Sequence, residues 1–589
     1  MTTANVTVFG NMLRFTPRRG GDLTDLLRQL RARIGSENVR RDGTGLVAPK
    51  YSMMWLLDDD AAASMGVSLD ADATRALEVR KRATAYHDRY RQHVICLREG
   101  GIQLALRELN ARPTGLNLGL LDDHQIVNVA AMTAPEGYGM LLFDEQGAGK
   151  TVSVIYAFDR LVDLNLLDTM VVVAPKSMVS EWKSAIGHFM NERYKVEIVE
   201  GTPSERARRV DSGADVVVMN YEAVASIRHQ LLLRLRRRPD RALLVVDESF
   251  AIKNPQARRT QDLQSIRDWF ARVWLLCGTP APNTAHDIVA QVSMVDFGAT
   301  FADVTIPKDR TEAVPVVRQA LDARAIYLRN LKTEVLPDLP QRSFTRLTIP
   351  LSPIQAQLYA AALDTLIEDV EALDDKQFLK QIGTYLARRM ALLRIASNPA
   401  GMFDNYSEVP GKLAALDELV TRLIDHDGEK LVVWSCFTAS LEAIVQRYQR
   451  FGVVRYDGSV TSITDRRDAV QRFQSDPTVR MFVANPAAAG AGLTLHAARY
   501  AVYESFTNQA AQYLQSLDRI HRRGQEREVE YFVLLGAHTI ETAEFDKLVL
   551  KQERAHELLG DVVPEQVVRT QFLAELRASK HVQAETVRP

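Results

Sequence analysis

The stretch Asp144-Glu145-Gln146-Gly147-Ala148-Gly149-Lys150-Thr151 constrains this chain more than any other. The apolar run Met140-Leu141-Leu142-Phe143 precedes it and reads as a short buried strand. Val152 to Phe158 comes next, with the apolar density of a helix packed on a sheet. Strand, glycine-containing loop ending in Lys-Thr, then helix is the context of a phosphate-binding loop. The glycines let backbone N–H groups approach phosphate oxygens, and the N-terminal end of the helix favours their negative charge. Lys150 would reach the β- and γ-phosphates, and Thr151 would place its hydroxyl on Mg²⁺. The strict pattern asks for glycine where Asp144 stands, so only its last part is matched. The bland alternative is a tight turn before a helix, with Lys150 in solvent. The rest of the chain decides between them.

Four further apolar runs occur at intervals: Met170 to Pro175, Val216 to Tyr221, Leu243 to Glu248, and Val273 to Pro280. Near-continuous Val/Leu runs alternating with amphipathic stretches predict a parallel α/β sheet covered on both faces. Each run ends in polar or special residues, at the strand carboxyl ends where such sheets bind ligands. Asp247-Glu248 closes one run. A carboxylate there can hold Mg²⁺ through its water shell, which suits Asp247. Its neighbour can orient and deprotonate the attacking water, which suits Glu248. Alone, Asp-Glu after a strand is more often a solvated turn; beside the first motif it reads as catalytic.

At 589 residues the chain exceeds one core, and domain-size priors suggest about three to four units. The first ~110 residues carry no nameable motif. Val6 to Phe15 alternates like a strand or hairpin, Leu23, Leu26, Leu27, Leu30 and Ile34 fall at helical spacing, and Val67 to Leu97 reads mainly as helix. This predicts a small α/β accessory domain over residues 1–110. No apolar stretch approaches the roughly 20 residues of a membrane helix, and no basic segment with an apolar core opens the chain. A cytoplasmic location is therefore expected. Cys96, Cys277 and Cys436 have no metal-ligand spacing and fit a reducing compartment. The net charge of −1 argues against a surface coated in basic residues, without excluding a basic cleft. Arginines crowd Arg228 to Arg241, which suits a phosphate-contacting edge and a solvated helix face about equally.

From about Leu121 to Phe545 the residues resemble the Swi/Snf-like ATPases within superfamily-two helicases. Asp144 to Thr151 is similar to the family's DExGxGKT, which accounts for Asp144. Ala174-Pro175-Lys176-Ser177 with Trp182, Asn220-Tyr221-Glu222, Asp247 to Asn254, and Gly278-Thr279-Pro280 with Asn283 resemble its successive first-lobe motifs. Leu392-Leu393-Arg394 with Asn398-Pro399, Leu431 to Phe437, Ala489 to Leu495, and Gln515 to Gln525 resemble those of its second lobe. The last has the specific form Q-x-x-D-R-x-H-R-x-G-Q.

The resemblance implies two tandem RecA-like lobes with short helical protrusions: residues 111–340, binding ATP, and 341–560, with a helical tail over 561–589. It implies a monomeric ATP hydrolase that moves along double-stranded DNA. Arg519 and Arg522 would stabilise the transferring γ-phosphate as arginine fingers. Gln125 resembles the adenine-side glutamine, and Gln515 belongs to the nucleotide-binding set with Asp144, Gly147, Gly149, Lys150 and Thr151. Lys176, Ser177, Asn220, Ser435 and Gly490 are the expected DNA contacts, mainly to phosphates, so binding should be weakly sequence-specific and salt-dependent.

Two departures bear on coupling. Phe250 stands where the family usually has a histidine that relays between the nucleotide site and the third motif. The Ala487 to Gly492 run has alanines where lysine and glycine are common. The short insertions suggest a minimal bacterial or viral member. Alternative readings are a fork-remodelling or strand-separating helicase, an RNA-directed enzyme, and a nucleic-acid-binding module whose ATPase has decayed.

Overall fold

Strands buried on both faces are what the Val/Leu runs require, and the computed structural model has them. It describes residues 4–18, 23–50, 66–281, 284–373, 375–460, 462–488, 493–507 and 509–555. The chain divides into two compact units, Met1–Val335 and Leu336–Pro589.

The first unit opens with a five-stranded sheet: β1 (Ala4–Phe9), β2 (Met12–Pro17), β3 (Arg40–Asp42), β4 (Gly45–Pro49) and β5 (Val67–Leu69). The order is β3-β4-β2-β1-β5. The expected hairpin is β1 and β2, antiparallel, with Phe9 opposite Met12. The helix Thr24–Ile34 inserts Leu26 and Leu30 into a small core with Val6, Leu13, Phe15 and Leu46. The long helix Ala71–Ala111 begins on this core through Ala73 and Ala76. Further along, its Val79, Ala83, Tyr90, Val94 and Leu97 join the larger core that also holds Met140 and Met170. One helix thus ties the small sheet to the first lobe.

That lobe is a parallel seven-stranded sheet: β6 (Gly139–Leu142), β7 (Thr169–Ala174), β8 (Val196–Ile198), β9 (Val216–Asn220), β10 (Ala242–Asp247), β11 (Arg272–Leu276) and β12 (Tyr327–Leu328), in the order β12-β6-β11-β10-β7-β9-β8. Every residue of β6, β10 and β11 is buried, which requires cover on both faces. The register fixes the site. Leu142 pairs with Leu276, Leu276 with Asp247, and Leu328 with Leu142. The carboxyl ends of four neighbouring strands therefore lie level, and the loops leaving them converge on one place.

The second unit is a parallel six-stranded sheet: β13 (Arg342–Ile349), β14 (Leu431–Trp434), β15 (Val453–Tyr456), β16 (Met481–Ala484), β17 (Tyr500–Tyr503) and β18 (Val529–Gly536), in the order β13-β18-β17-β14-β16-β15. Separate cores form on its faces, one around Trp434 and Tyr503, the other around Leu431 and Val502. The helices Pro353–Glu371 and Asp375–Ser397 pack on each other through Leu363, Leu366 and Phe378 and supply the expected helical protrusion. The two sheets with their flanking helices are the two RecA-like lobes. The helix Glu541–Ala555 closes the described chain, and the tail expected over 561–589 lies outside the described residues.

Most arginines of the Arg228–Arg241 run are engaged within the fold. Arg234 donates to the carbonyls of Val210 and Ala214, and Arg236 pairs with Asp72 at 2.7 Å. Arg237 pairs with Asp211 at 2.8 Å, and Arg238 and Arg241 share Asp168 at 2.9 and 3.4 Å. The acids that neutralise the run are distant in sequence, which is why the local composition suggested a free cationic strip.

Candidate active site

The loop after β6 carries two positive backbone angles, φ 87° at Gly147 and 83° at Gly149. A side chain at Gly149 would be strained by that angle, and its Cβ would come within 2.1 Å of Gln125 Nε2. The helix Lys150–Asp163 starts directly after it, so its first free N–H groups face the loop. Lys150 Nζ donates to the carbonyl oxygens of Asp144 (2.8 Å) and Glu145 (3.2 Å), closing the loop on itself. Asp144 is fully buried and accepts from Asn128 and Asn330, each at 2.7 Å. Burial pushes its pKa up; nearby Lys150 and the two amides oppose that. Gln125 serves the backbone. Its Oε1 accepts from Asp122 N at 2.9 Å at the start of the helix Asp123–Met132, and its Nε2 lies 3.4 Å from the Gly149 carbonyl. Thr151 is half-buried in the first turn of its helix.

Two strands away, Asp247 ends β10 with both carboxylate oxygens engaged. Oδ2 accepts from the Trp182 indole at 2.8 Å, and Oδ1 from the Glu248 backbone N–H at 2.9 Å. Burial raises the Asp247 pKa; the Trp182 bond and the charge of Lys150 pull it back. Glu248 adopts a left-handed backbone (φ 51°, ψ 53°), unusual for a non-glycine residue and a mark of a constrained site. The Tyr221 hydroxyl donates to the carbonyls of Asp247 (2.5 Å) and Glu248 (3.2 Å), holding that turn from below. Gln146 Nε2 donates to Glu248 Oε1 at 3.2 Å, so the phosphate loop and the strand-end carboxylates form one cluster. Thr151 offers a hydroxyl and Asp247 a carboxylate, the class of hard oxygen ligand that suits Mg²⁺.

Among the residues that hold this cluster, Asn128 and Gln291 fall outside the motif positions first singled out. Asn128 and Asn330 grip Asp144, and Arg329 donates to Phe143 O at 2.8 Å. Ser249 donates to Gln291 Oε1 at 2.7 Å, and Gln291 donates to Pro280 O at 2.5 Å, all inside the core. That bridge joins the Asp247-Glu248 turn to the Gly278-Thr279-Pro280 turn one residue from Phe250, which is half-buried. The signal available for these residues was a polar side chain inside an apolar stretch: Asn128 in Ile126 to Met132, Gln291 in Ile288 to Val295.

In the second unit, Arg519 and Arg522 both direct Nη1 at the carbonyl of Leu493, at 3.4 and 2.9 Å. Arg519 is buried and Arg522 half-buried, while Arg523 is exposed. His521 Nε2 lies 2.7 Å from Pro340 O, and Gln525 donates to the carbonyls of His496 and Ala498. The segment is fastened to the backbone between the two arginines and just after them. Gln515 sits half-buried on the helix Ala510–Leu517.

The expected DNA contacts are placed unevenly. Lys176 is exposed and Ser177 half-buried in the short helix after β7. Asn220 spends Oδ1 capping the helix Tyr221–Arg237, accepting from Ala223 N at 3.0 Å. Ser435 is fully buried, donating to Glu504 Oε2 at 2.7 Å in a network that includes Ser397 and Lys412. Its hydroxyl is an interior partner and not a surface donor. Gly490 and Asn283 lie outside the described residues.

Comparison with known proteins agrees with this geometry. The family model described as SNF2-related domain matches residues 53–400, and the one described as Helicase conserved C-terminal domain matches 411–524. The chain is similar to the ISWI chromatin-remodeling complex ATPase ISW1 of Saccharomyces cerevisiae, 26% identical over 70% of this chain and 39% of the relative. It is also similar to an ATP-dependent helicase of Mycoplasma pneumoniae, 24% identical over 73% of this chain and 41% of the relative. It thus spans about two-fifths of the length of these curated relatives. A solved SWI2/SNF2 ATPase core of Sulfolobus solfataricus in complex with dsDNA covers 80% of this chain and 96% of its own, at 21% identity. The TM-score is 0.34. No helix among the described residues is long and apolar enough to cross a membrane. The first family model spans more than half of the chain and contains the phosphate loop and both strand-end carboxylates, so this protein belongs to the SNF2-related family of helicase-like ATPases.

Proposed function

We propose that this protein hydrolyses ATP and uses the cycle to move along double-stranded DNA without separating its strands. The observation that carries the reading is the Gln146–Glu248 bond, which joins the phosphate loop to the strand-end carboxylates. ATP entering the loop would exchange the Lys150 bonds to Asp144 O and Glu145 O for bonds to β- and γ-phosphate oxygens. The backbone N–H groups at the start of the helix Lys150–Asp163 would hold the same phosphates. Thr151 and Asp247 would hold Mg²⁺, which neutralises phosphate charge. Glu248, released from Gln146, would take the proton of the attacking water. Arg519 and Arg522 would neutralise the charge that develops on the γ-phosphoryl group. Because they sit on the second unit, hydrolysis would be tied to domain motion, which would step the protein along a backbone held through groups such as Lys176.

Triplex displacement tests this. A third strand annealed to blunt duplex should be released by the wild-type protein with ATP and not by Glu248→Gln, while a forked duplex stays paired. Strand separation with no triplex release would replace translocation with unwinding.

A further inference from the structure

We propose that the uncovered face of the N-terminal sheet binds a single strand of nucleic acid, with backbone phosphates on Arg14, Arg18 and Arg40 and a base on Phe9. The inference does not depend on the ATPase reading. Charge is the first observation. The first 50 residues carry nine Lys/Arg and four Asp/Glu, whereas the remaining 539 carry 64 and 70. This segment is thus cationic within a chain close to neutral overall, and a cationic segment attracts phosphate.

Placement is the second observation. Leu26, Leu30, Ala73 and Ala76 cover one face of the sheet, against Val6, Leu13, Phe15, Leu46 and Ala48. The alternate residues point the other way, where no helix among the described residues covers them. The register sets Arg14 opposite Val47 and Val47 opposite Arg40, so the two arginines share that face two strands apart. Arg18 reaches across the same face to Asn5 Oδ1 (3.0 Å) and Ser68 Oγ (3.2 Å). Arg40 is exposed and has no ion-pair partner among the described residues. Asp42 is the anion on this face; it pairs with Arg14 at 2.5 Å.

Phe9 is the third observation. It is 63% exposed at the end of β1, an uncommon place for a large aromatic side chain. The Arg14 guanidinium lies over one face of the ring, 4.9 Å from its centroid, so a cation backs the aromatic side chain. An open sheet face with an exposed aromatic ring and flanking arginines is how unpaired bases are held: the ring stacks a base while the cations take the backbone. A paired base offers no free face to such a ring, so the fit is to a single strand.

The sheet is fastened to the first lobe, so what it holds has a fixed place there. Asn11 at the hairpin turn donates to Gln264 Oε1 at 2.7 Å, and Lys50 at the end of β4 pairs with Asp268 at 2.7 Å.

The test uses the full chain and labelled probes of roughly 20 nucleotides, a length that exceeds typical single-strand site sizes. They are oligothymidylate, oligouridylate and blunt duplex DNA, each titrated at two salt concentrations. The wild-type protein should bind at least one single-stranded probe, more weakly at high salt. The variant Phe9→Ala/Arg18→Ser/Arg40→Ser should lose about tenfold or more in affinity for that probe. Its duplex affinity, basal ATPase rate and melting temperature should stay as in wild type. Arg18→Lys/Arg40→Lys should retain binding within about threefold, since it keeps the charges. The proposal is overturned if the wild type binds neither single strand, if the triple variant binds as tightly as wild type, or if it loses duplex and single strand equally.

Discussion

The indole N–H of Trp182 donates to Asp247 Oδ2 at 2.8 Å, inside the core of the first lobe. A bond of this kind stabilises the ionised carboxylate, and it opposes the burial that raises the Asp247 pKa. Trp182→Phe keeps the apolar bulk and removes the donor. Charge-assisted bonds of this type contribute about 1.5–3 kcal/mol. The Asp247 pKa should therefore rise further, less of it is ionised at a given pH, and the acid limb of the kcat profile should move to higher pH. A profile that overlays wild type would show that Asp247 ionisation does not limit turnover.

Gln291 should matter through two contacts at once. It accepts from Ser249 and donates to Pro280 O, joining the turn that carries Glu248 to the turn after β11. Gln291→Ala leaves a buried hydroxyl and a buried carbonyl without this partner, at a cost of about 1–3 kcal/mol in stability. Steady-state kinetics should show kcat falling while KM for ATP holds. If kcat is unchanged after correction for folded fraction, the bridge is structural only.

This bridge shows where the sequence was informative and where it was not. The two parallel sheets could be read because continuous Val/Leu runs have few other uses. The loop Asp144 to Thr151, the Asp247-Glu248 turn and the Arg519-Arg522 segment could be located because each keeps its residues close together in sequence. Gln291 could not be tied to Ser249, 42 residues away, because local spacing carries no information about a partner on another element. The same reason hid the acids that neutralise the Arg228–Arg241 run, and the burial of Ser435, whose partner Glu504 is 69 residues away.

Asp268 should be the most sensitive point of the junction between the N-terminal sheet and the lobe. It pairs with Lys50 at 2.7 Å and Arg80 at 3.2 Å, all three buried, with Arg267 close by. Burial lowers the Lys50 pKa despite its partner, while the three cations pull the Asp268 pKa down despite burial. The carboxylate stays ionised, because it faces three cations while each cation faces one anion. Asp268→Asn leaves buried cations uncompensated and should cost about 3–5 kcal/mol. A depressed carboxylate pKa contributes stability that is present above its unfolded pKa of roughly 4 and lost as pH falls through the lower folded value. Wild-type melting temperature should therefore drop below about pH 4, and the variant should lack that part of the dependence.

Arg522→Ala should separate a catalytic arginine from a DNA contact. ATP hydrolysis should fall roughly a hundredfold or more, while duplex binding stays close to wild type. Normal hydrolysis with weakened DNA binding would make Arg522 a backbone phosphate contact instead.

The central claim is tested most directly by the steady-state ATPase rate measured alone, with single-stranded DNA, with blunt duplex, with forked duplex and with duplex RNA. The account predicts a low basal rate that blunt duplex DNA stimulates strongly, with Lys150→Ala inactive under every condition. A rate that no nucleic acid changes, or one that only forks or RNA raise, would contradict it.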